Sequence, residues 1–113
     1  MRQRTSLSSE LLPGTLEMLI LKTLTRGPAH GYAIARHLER VSGDVLRVGE
    51  SSLYPALQRL LVDDLVRAEW GESELGRRAR IYRITPAGRK RLTQEAEGFA
   101  RLTGAIAIVM EAT

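Results

Sequence analysis

Between Gly49 and Leu92 the apolar pattern passes from helical to alternating spacing and back, and that order of changes most constrains the fold. Helical spacing in ESSLYPALQRLL gives way to alternation in LVRAEW, Leu65 to Trp70. A glycine-bounded polar loop, GESELGRRA, follows, then a second alternating run, RIYRIT, Arg80 to Thr85, and then helical spacing again. Two short alternating runs joined by a loop containing glycine form a β-hairpin whose half-buried face needs a helix against it. The helix before the hairpin starts at Glu50, where Ser51 or Ser52 is expected to cap the free backbone N–H groups, and Pro55 is tolerated because it lies in the first turn. Leu53, Leu57, Leu60 and Leu61 form its inward face and leave Ser52, Pro55, Gln58, Arg59 and Val62 outside.

Two helices precede this unit. Leu12, Leu16, Leu19, Ile20 and Leu24 follow helical spacing from Pro13 to about Thr25, and Arg26-Gly27-Pro28 ends that helix. A second helix runs through GYAIARHLERVSG, with Tyr32, Ile34, Ala35, Leu38 and Val41 expected inward; His30 is expected to cap or position it, and His37 to be on the surface. Asp44 to Gly49 is expected as an extended connector able to add a strand at the hairpin's edge. Thr85-Pro86 opens the last helix as cap and first-turn proline. In it Leu92, Phe99 and Ile106 recur every seventh residue, with Ala96, Leu102, Thr103, Val109 and Met110 between them. Its start can pack on the preceding elements, but its end has an apolar stripe that nothing left in the sequence covers.

The expected fold is mainly α with a small β-hairpin, an α+β winged helix-turn-helix followed by a C-terminal dimerisation helix. A polar, basic arm spans residues 1–11, the winged unit 12–85 and the dimerisation helix 86–113. The interface residues expected on that helix are Leu92, Ala96, Phe99, Leu102, Thr103, Ile106, Val109 and Met110.

Charge points to the partner. The net charge is +4, and all the basic residues but Lys22 and Lys90 are arginine, whose planar fork suits phosphates and guanine edges. From Leu75 to Thr93 the chain carries Arg77, Arg78, Arg80, Arg83, Arg89, Lys90 and Arg91 and no acidic residue. In a helix-turn-helix the second helix of the pair turns its N-terminal residues toward base edges, which assigns Ser51, Ser52, Tyr54, Pro55, Gln58 and Arg59 to double-stranded DNA. Arg77, Arg78 and Arg80 on the hairpin supply phosphate or minor-groove contacts, which give affinity and positioning. The alternative is a winged helix that meets other proteins without binding DNA. Such a module has no need for three arginines on one ribbon.

Taken together, LPGTLEMLILKTL, GPAHGYAIARHL, SSLYPALQRLLVDDLV and GRRARIYRITPAGRKRL closely resemble the PadR family of transcriptional regulators, in its short form, over about Leu12 to Leu92. The resemblance implies a homodimeric bacterial repressor held together by its C-terminal helices and released from a pseudo-palindromic operator by a small-molecule effector at the dimer interface. It also implies that Tyr54 and its neighbours, with Arg77 and Arg78, face the DNA. Some members hold flat aromatic or cationic compounds with a tryptophan on the last helix. Here the sole tryptophan, Trp70, is on a hairpin strand, where packing is its expected role, and Phe99 is the aromatic residue of the last helix.

Nothing in the sequence suggests an enzyme. There is no cysteine, GxSxG, phosphate loop or HExxH. His30 and His37 lie two helical turns apart, too far for paired metal ligands, and Asp63-Asp64 reads as the polar end of a helix. No metal or cofactor is expected. No apolar run matches a secretory signal or membrane span, so a cytoplasmic protein without membrane contact is expected.

Overall fold

The structure, a computed structural model, describes residues 14–113. The expected arm at 1–11, with Leu12 and Pro13 of the first helix, lies outside the described residues. The elements run α1 (Thr15–Leu24), β1 (Ala29–His30), α2 (Gly31–Val41), α3 (Glu50–Val62), β2 (Val66–Glu72), β3 (Arg78–Ile84) and α4 (Pro86–Glu111). This is the expected α+β fold, with helices packed on a small antiparallel sheet of order β1-β3-β2.

One core joins every layer. Ile20, Leu21 and Leu24 of α1, Ile34 and Leu38 of α2, Leu53, Leu57 and Leu60 of α3, and Val66, Tyr82 and Ile84 of the sheet are all buried in it. Full burial of side chains this size contributes about 1.5–3 kcal/mol each, so helical and strand periodicity fix which face each element turns inward.

Three local expectations are corrected. The third strand is β1, pairing Ala29 with Tyr82 and His30 with Ile81, and not the Asp44–Gly49 connector. The capping residue of α3 is Gly49, with no side-chain cap, so Ser51 and Ser52 lie inside the helix and Pro55 lies beyond its first turn. Tyr32 and Val41 are each 62% exposed. At about 100° per residue, Tyr32 falls roughly 160° around α2 from Ile34, on the outer face. His30 does cap α2, its ring accepting from the Ala33 N–H at 3.3 Å.

The hairpin loop is shorter than the glycine-bounded segment. Ser73 accepts from Gly76 N–H at 2.9 Å, and Gly76 holds φ 75°, the left-handed position that closes a three-residue hairpin loop. Arg77 therefore flanks the loop, its carbonyl accepting from Ser73 N–H at 2.8 Å, while Arg78 and Arg80 are on β3.

A second junction fixes α4. Leu65 N–H donates to Leu60 O and Asp64 N–H to Leu61 O, a Schellman closure of α3 with Asp64 at φ 61°. Thr85 then ties the far end of the sheet to this turn. Its hydroxyl donates to Asp64 O and accepts from Gly88 N–H, both at 2.9 Å, and its own N–H donates to Leu65 O at 3.1 Å.

Gly88 is buried there, and a Cβ on it would sit 2.2 Å from Leu65 O. Gly88→Ala is expected to cost about 3 kcal/mol, the upper end for overpacking, because the obstructing atom is backbone. Asp64→Gly should instead stabilise by about 1 kcal/mol, since only glycine holds a left-handed conformation without penalty. Urea denaturation of both variants at one protein concentration checks the opposite signs.

Candidate nucleic-acid interface

The exposed start of α3 and the hairpin face a common concavity. Tyr54 lines a cleft of about 660 Å³ together with Arg77, Arg78 and Arg80 of the hairpin and with His30 and Tyr32. Tyr54 is held there by the absence of a side chain at Gly31, where a Cβ would come within 3.1 Å of the Tyr54 ring and hydroxyl. Tyr82 is buried beside it, and that burial pushes its phenol pKa up and keeps it uncharged. Ser51, Pro55 and Gln58 are exposed and Ser52 is half-buried, on the same turns of α3.

The ribbon's register explains how its arginines are displayed. Val66↔Ile84 and Ala68↔Tyr82 cover the core, and two residues further out the same face carries Trp70↔Arg80, then Glu72↔Arg78. The guanidinium carbons of Arg78 and Arg80 lie 4.6 and 5.5 Å from the Trp70 ring centroid. Contacts of this kind contribute about 0.5–1 kcal/mol at exposed sites, and they leave the N–H forks free. Trp70 is 58% exposed; instead of filling a core it is the platform for two arginines.

Two expected site residues lie elsewhere. Arg59 does not reach toward the cleft, because its Nε donates to Glu17 Oε2 of α1 at 2.7 Å. It lines a small pocket with Asp63, Arg91 and Glu95, where α1, α3 and α4 meet. The single step from Gln58 to Arg59 turns the side chain about 100° around α3, and a carboxylate is waiting there. Leu92 is not on a free face either, but packs against the core of its own chain. Further along α4, Ala96 is exposed with Thr103, and the large side chains Phe99, Leu102 and Ile106 are about half exposed and Val109 and Met110 more so.

Sequence patterning missed His30 and Tyr32 as cleft residues. The available signal was the i, i+4 spacing of Tyr32 and Arg36, whose guanidinium donates to the Tyr32 hydroxyl at 2.8 Å.

The model of the family described as "Transcriptional regulator PadR-like family" matches residues 20–94. The chain belongs to the PadR-like family. It is therefore a DNA-binding transcriptional regulator by class, and members of this family are not enzymes. The chain is 33% identical over 93 residues to the "Transcriptional regulator Rv3488" of Mycobacterium tuberculosis, covering 82% of this chain and 83% of that one. It is 48% identical over 90 residues, 80% of its length, to a "37.1 kDa protein in transposon TN4556" of Streptomyces fradiae, and spans only 24% of that relative. Among solved structures, a PadR family transcriptional regulator from Eggerthella lenta superposes with a TM-score of 0.75 at 29% identity, over 88% of this chain and 85% of that one. No described helix is long and apolar enough to cross a membrane.

The pair between Glu17 and Arg59 makes a pH prediction for this PadR-like chain. Burial alone would raise the Glu17 pKa, but the Arg59 hydrogen bond, backbone N–H groups and the Arg59 charge together hold it below 4.5. A carboxyl held low in the folded state adds stability above its unfolded pKa and loses it as pH falls through the folded one. Thermal melts should therefore show an acid-side loss below about pH 4.5 that is smaller in Glu17→Gln, with the variant less stable than the wild type at neutral pH.

Proposed function

We propose that this chain is a homodimeric repressor that binds a pseudo-palindromic operator. The observation that carries this reading is the shared cleft, in which Tyr54 of α3 and Arg77, Arg78 and Arg80 of the hairpin face the same space. In this reading Ser51, Ser52, Tyr54, Pro55 and Gln58 meet the major groove. The hairpin arginines hold phosphates or enter the adjoining minor groove, where arginine is favoured. Residues 12–85 act as the DNA-binding unit and 86–113 as the dimerisation helix, with the qualification that Gly88 and Leu92 serve the core of the first.

The dimer follows from α4. Phe99, Leu102, Ile106, Val109 and Met110 form an exposed apolar stripe at helical spacing. A second copy with the same stripe covers it through a two-fold contact, and two recognition helices so related require a two-fold operator. Repression is then occupancy of the operator. An effector that releases it at the dimer interface would meet Phe99, the aromatic side chain that α4 offers.

A duplex selected by the protein from a random pool should bind with a steep log-log salt slope. Changing Arg77 and Arg78 to alanine should make that slope shallower by about 0.9 for each phosphate left without its arginine. Emission from Trp70, the sole tryptophan, should change on titration with duplex as Arg78 and Arg80 leave its ring. Ile106→Glu should shift sedimentation from dimer to monomer and weaken duplex binding. A salt slope near zero would favour the protein-interaction module, and a wild-type monomer at all concentrations would remove the two-fold operator.

A further inference from the structure

The outer face of α2 carries a row of arginines outside the cleft of α3 and the hairpin. Tyr32, Arg36 and Arg40 follow at i, i+4 and i+8, so they form one ridge along the helix. Arg36 is held by the Tyr32 hydroxyl at 2.8 Å, with its guanidinium carbon 5.7 Å from the ring centroid. Arg26, in the turn after α1, reaches across to the same ridge, where its Nη1 hydrogen-bonds to the His37 ring. Arg40 Nη2 lies 3.3 Å from Nδ1 of the same imidazole.

Two guanidinium groups thus converge on one ring. Burial and the charges of Arg26 and Arg40 hold the His37 pKa below its ordinary value, and a neutral ring accepts these hydrogen bonds without offsetting either charge. Among the described residues, the carboxylates in ion-pair range of a basic group are Glu17 with Arg59 and Glu74 with His30; Glu74 lines the cleft beside this ridge, but neither carboxylate is in ion-pair range of the ridge arginines. Glu39 and Asp44 act on Arg36 only through space. Three guanidinium groups brought together with no carboxylate in ion-pair range leave a positive local potential that a polyanion relieves.

The ridge is continuous with the first cleft. Arg26, Arg36, His37 and Arg40 line a polar cleft of about 420 Å³, and His30, Tyr32 and Glu74 belong to both. Arg36 and Arg40 are one turn apart, about 6 Å along the axis. Phosphates on one strand advance about 3.4 Å each, so an offset of about 6 Å is within reach of phosphates of the same strand for side chains as long as arginine.

We propose that Arg26, Arg36 and Arg40 form a second phosphate-gripping surface, clamping the backbone of the same duplex that α3 and the hairpin engage. The inference rests on the reading that this chain binds DNA, and it adds a contact by the helix preceding the recognition helix. The ridge contributes affinity and orientation and carries no base choice, because backbone phosphates are the same at every sequence.

The test uses the full-length chain and a duplex it selects from a random pool, with affinity measured across a salt series. R26A/R36A/R40A should bind more weakly, with a slope shallower by about 0.9 for each phosphate the ridge no longer neutralises. The loss should be equal for the selected duplex and for one of unrelated sequence. Each single substitution should remove about one third of the change, which keeps the test valid if the triple variant folds poorly. R36K/R40K should keep most of the slope, because lysine retains the charge. R101A, on the exposed far part of α4, should leave the slope unchanged. A triple variant and singles that match R101A would overturn the clamp while leaving DNA binding intact. A wild type that selects no duplex would overturn both.

Discussion

The Thr85 hydroxyl is the tie on which the arrangement of the whole chain depends. It donates to the turn that ends α3 and accepts from the first turn of α4, so one side chain ties together α3, the end of the sheet and the long helix. Gly88 makes the contact close enough to be rigid, because its missing side chain lets α4 approach the Leu65 carbonyl. In a dimer held by α4, any rotation at this joint would be carried along the helix and change the spacing of the two DNA-facing surfaces. In the proposed complex, the geometry of recognition would therefore be set some distance from the residues assigned to the duplex.

The second constraint is electrostatic. Arginines on this surface are held by neutral partners: Arg78 and Arg80 by an indole, Arg36 by a phenol, Arg26 and Arg40 by an uncharged imidazole. Such partners fix a long side chain while leaving its charge whole, which reduces the conformational entropy lost when a phosphate binds. Arg59 is the contrasting case. Paired with Glu17, it helps join α3 to α1 and offers little charge to a polyanion. The same residue type thus has two roles, decided by whether its neighbour is an acid or a ring.

Most of the fold can be read from the sequence, since it lies in periodicity and in punctuation. The change from helical to alternating spacing locates α3, the hairpin and α4, and Thr85-Pro86 marks the start of α4 within a residue. What escapes is tertiary. No local pattern shows that Ala29–His30 will pair with β3, because two residues carry no period. Nor does composition distinguish Arg59 from Gln58, since the acid that captures Arg59 lies 42 residues away. The role of Trp70 is hidden for a related reason: cross-strand register, which sets it opposite Arg80, becomes visible only when the hairpin closes. The candidate site is legible as a set of residue types, and its membership is decided by contacts between elements.

The last stretch of α4 ties these points together. Gly98 and Gly104 lie inside the helix, each weakening it by about 1 kcal/mol relative to alanine, and Thr103, Ile106, Ile108 and Val109 are β-branched residues that helices favour less. From Arg101 onward every side chain is exposed in the single chain. An isolated helical segment of this length and composition is marginal in water, because helices in proteins draw most of their stability from packing. A helix so weakly encoded, whose apolar stripe meets nothing among the described residues, gains from a surface to lie on. In the proposed dimer a second copy supplies one with the same spacing, and burying both stripes at once would offset the poor helix propensity of each. Order in this segment and association of two chains would then be one equilibrium. Mutations that weaken the helix, even on its polar side, would act on DNA binding by lowering the fraction of chains that are paired.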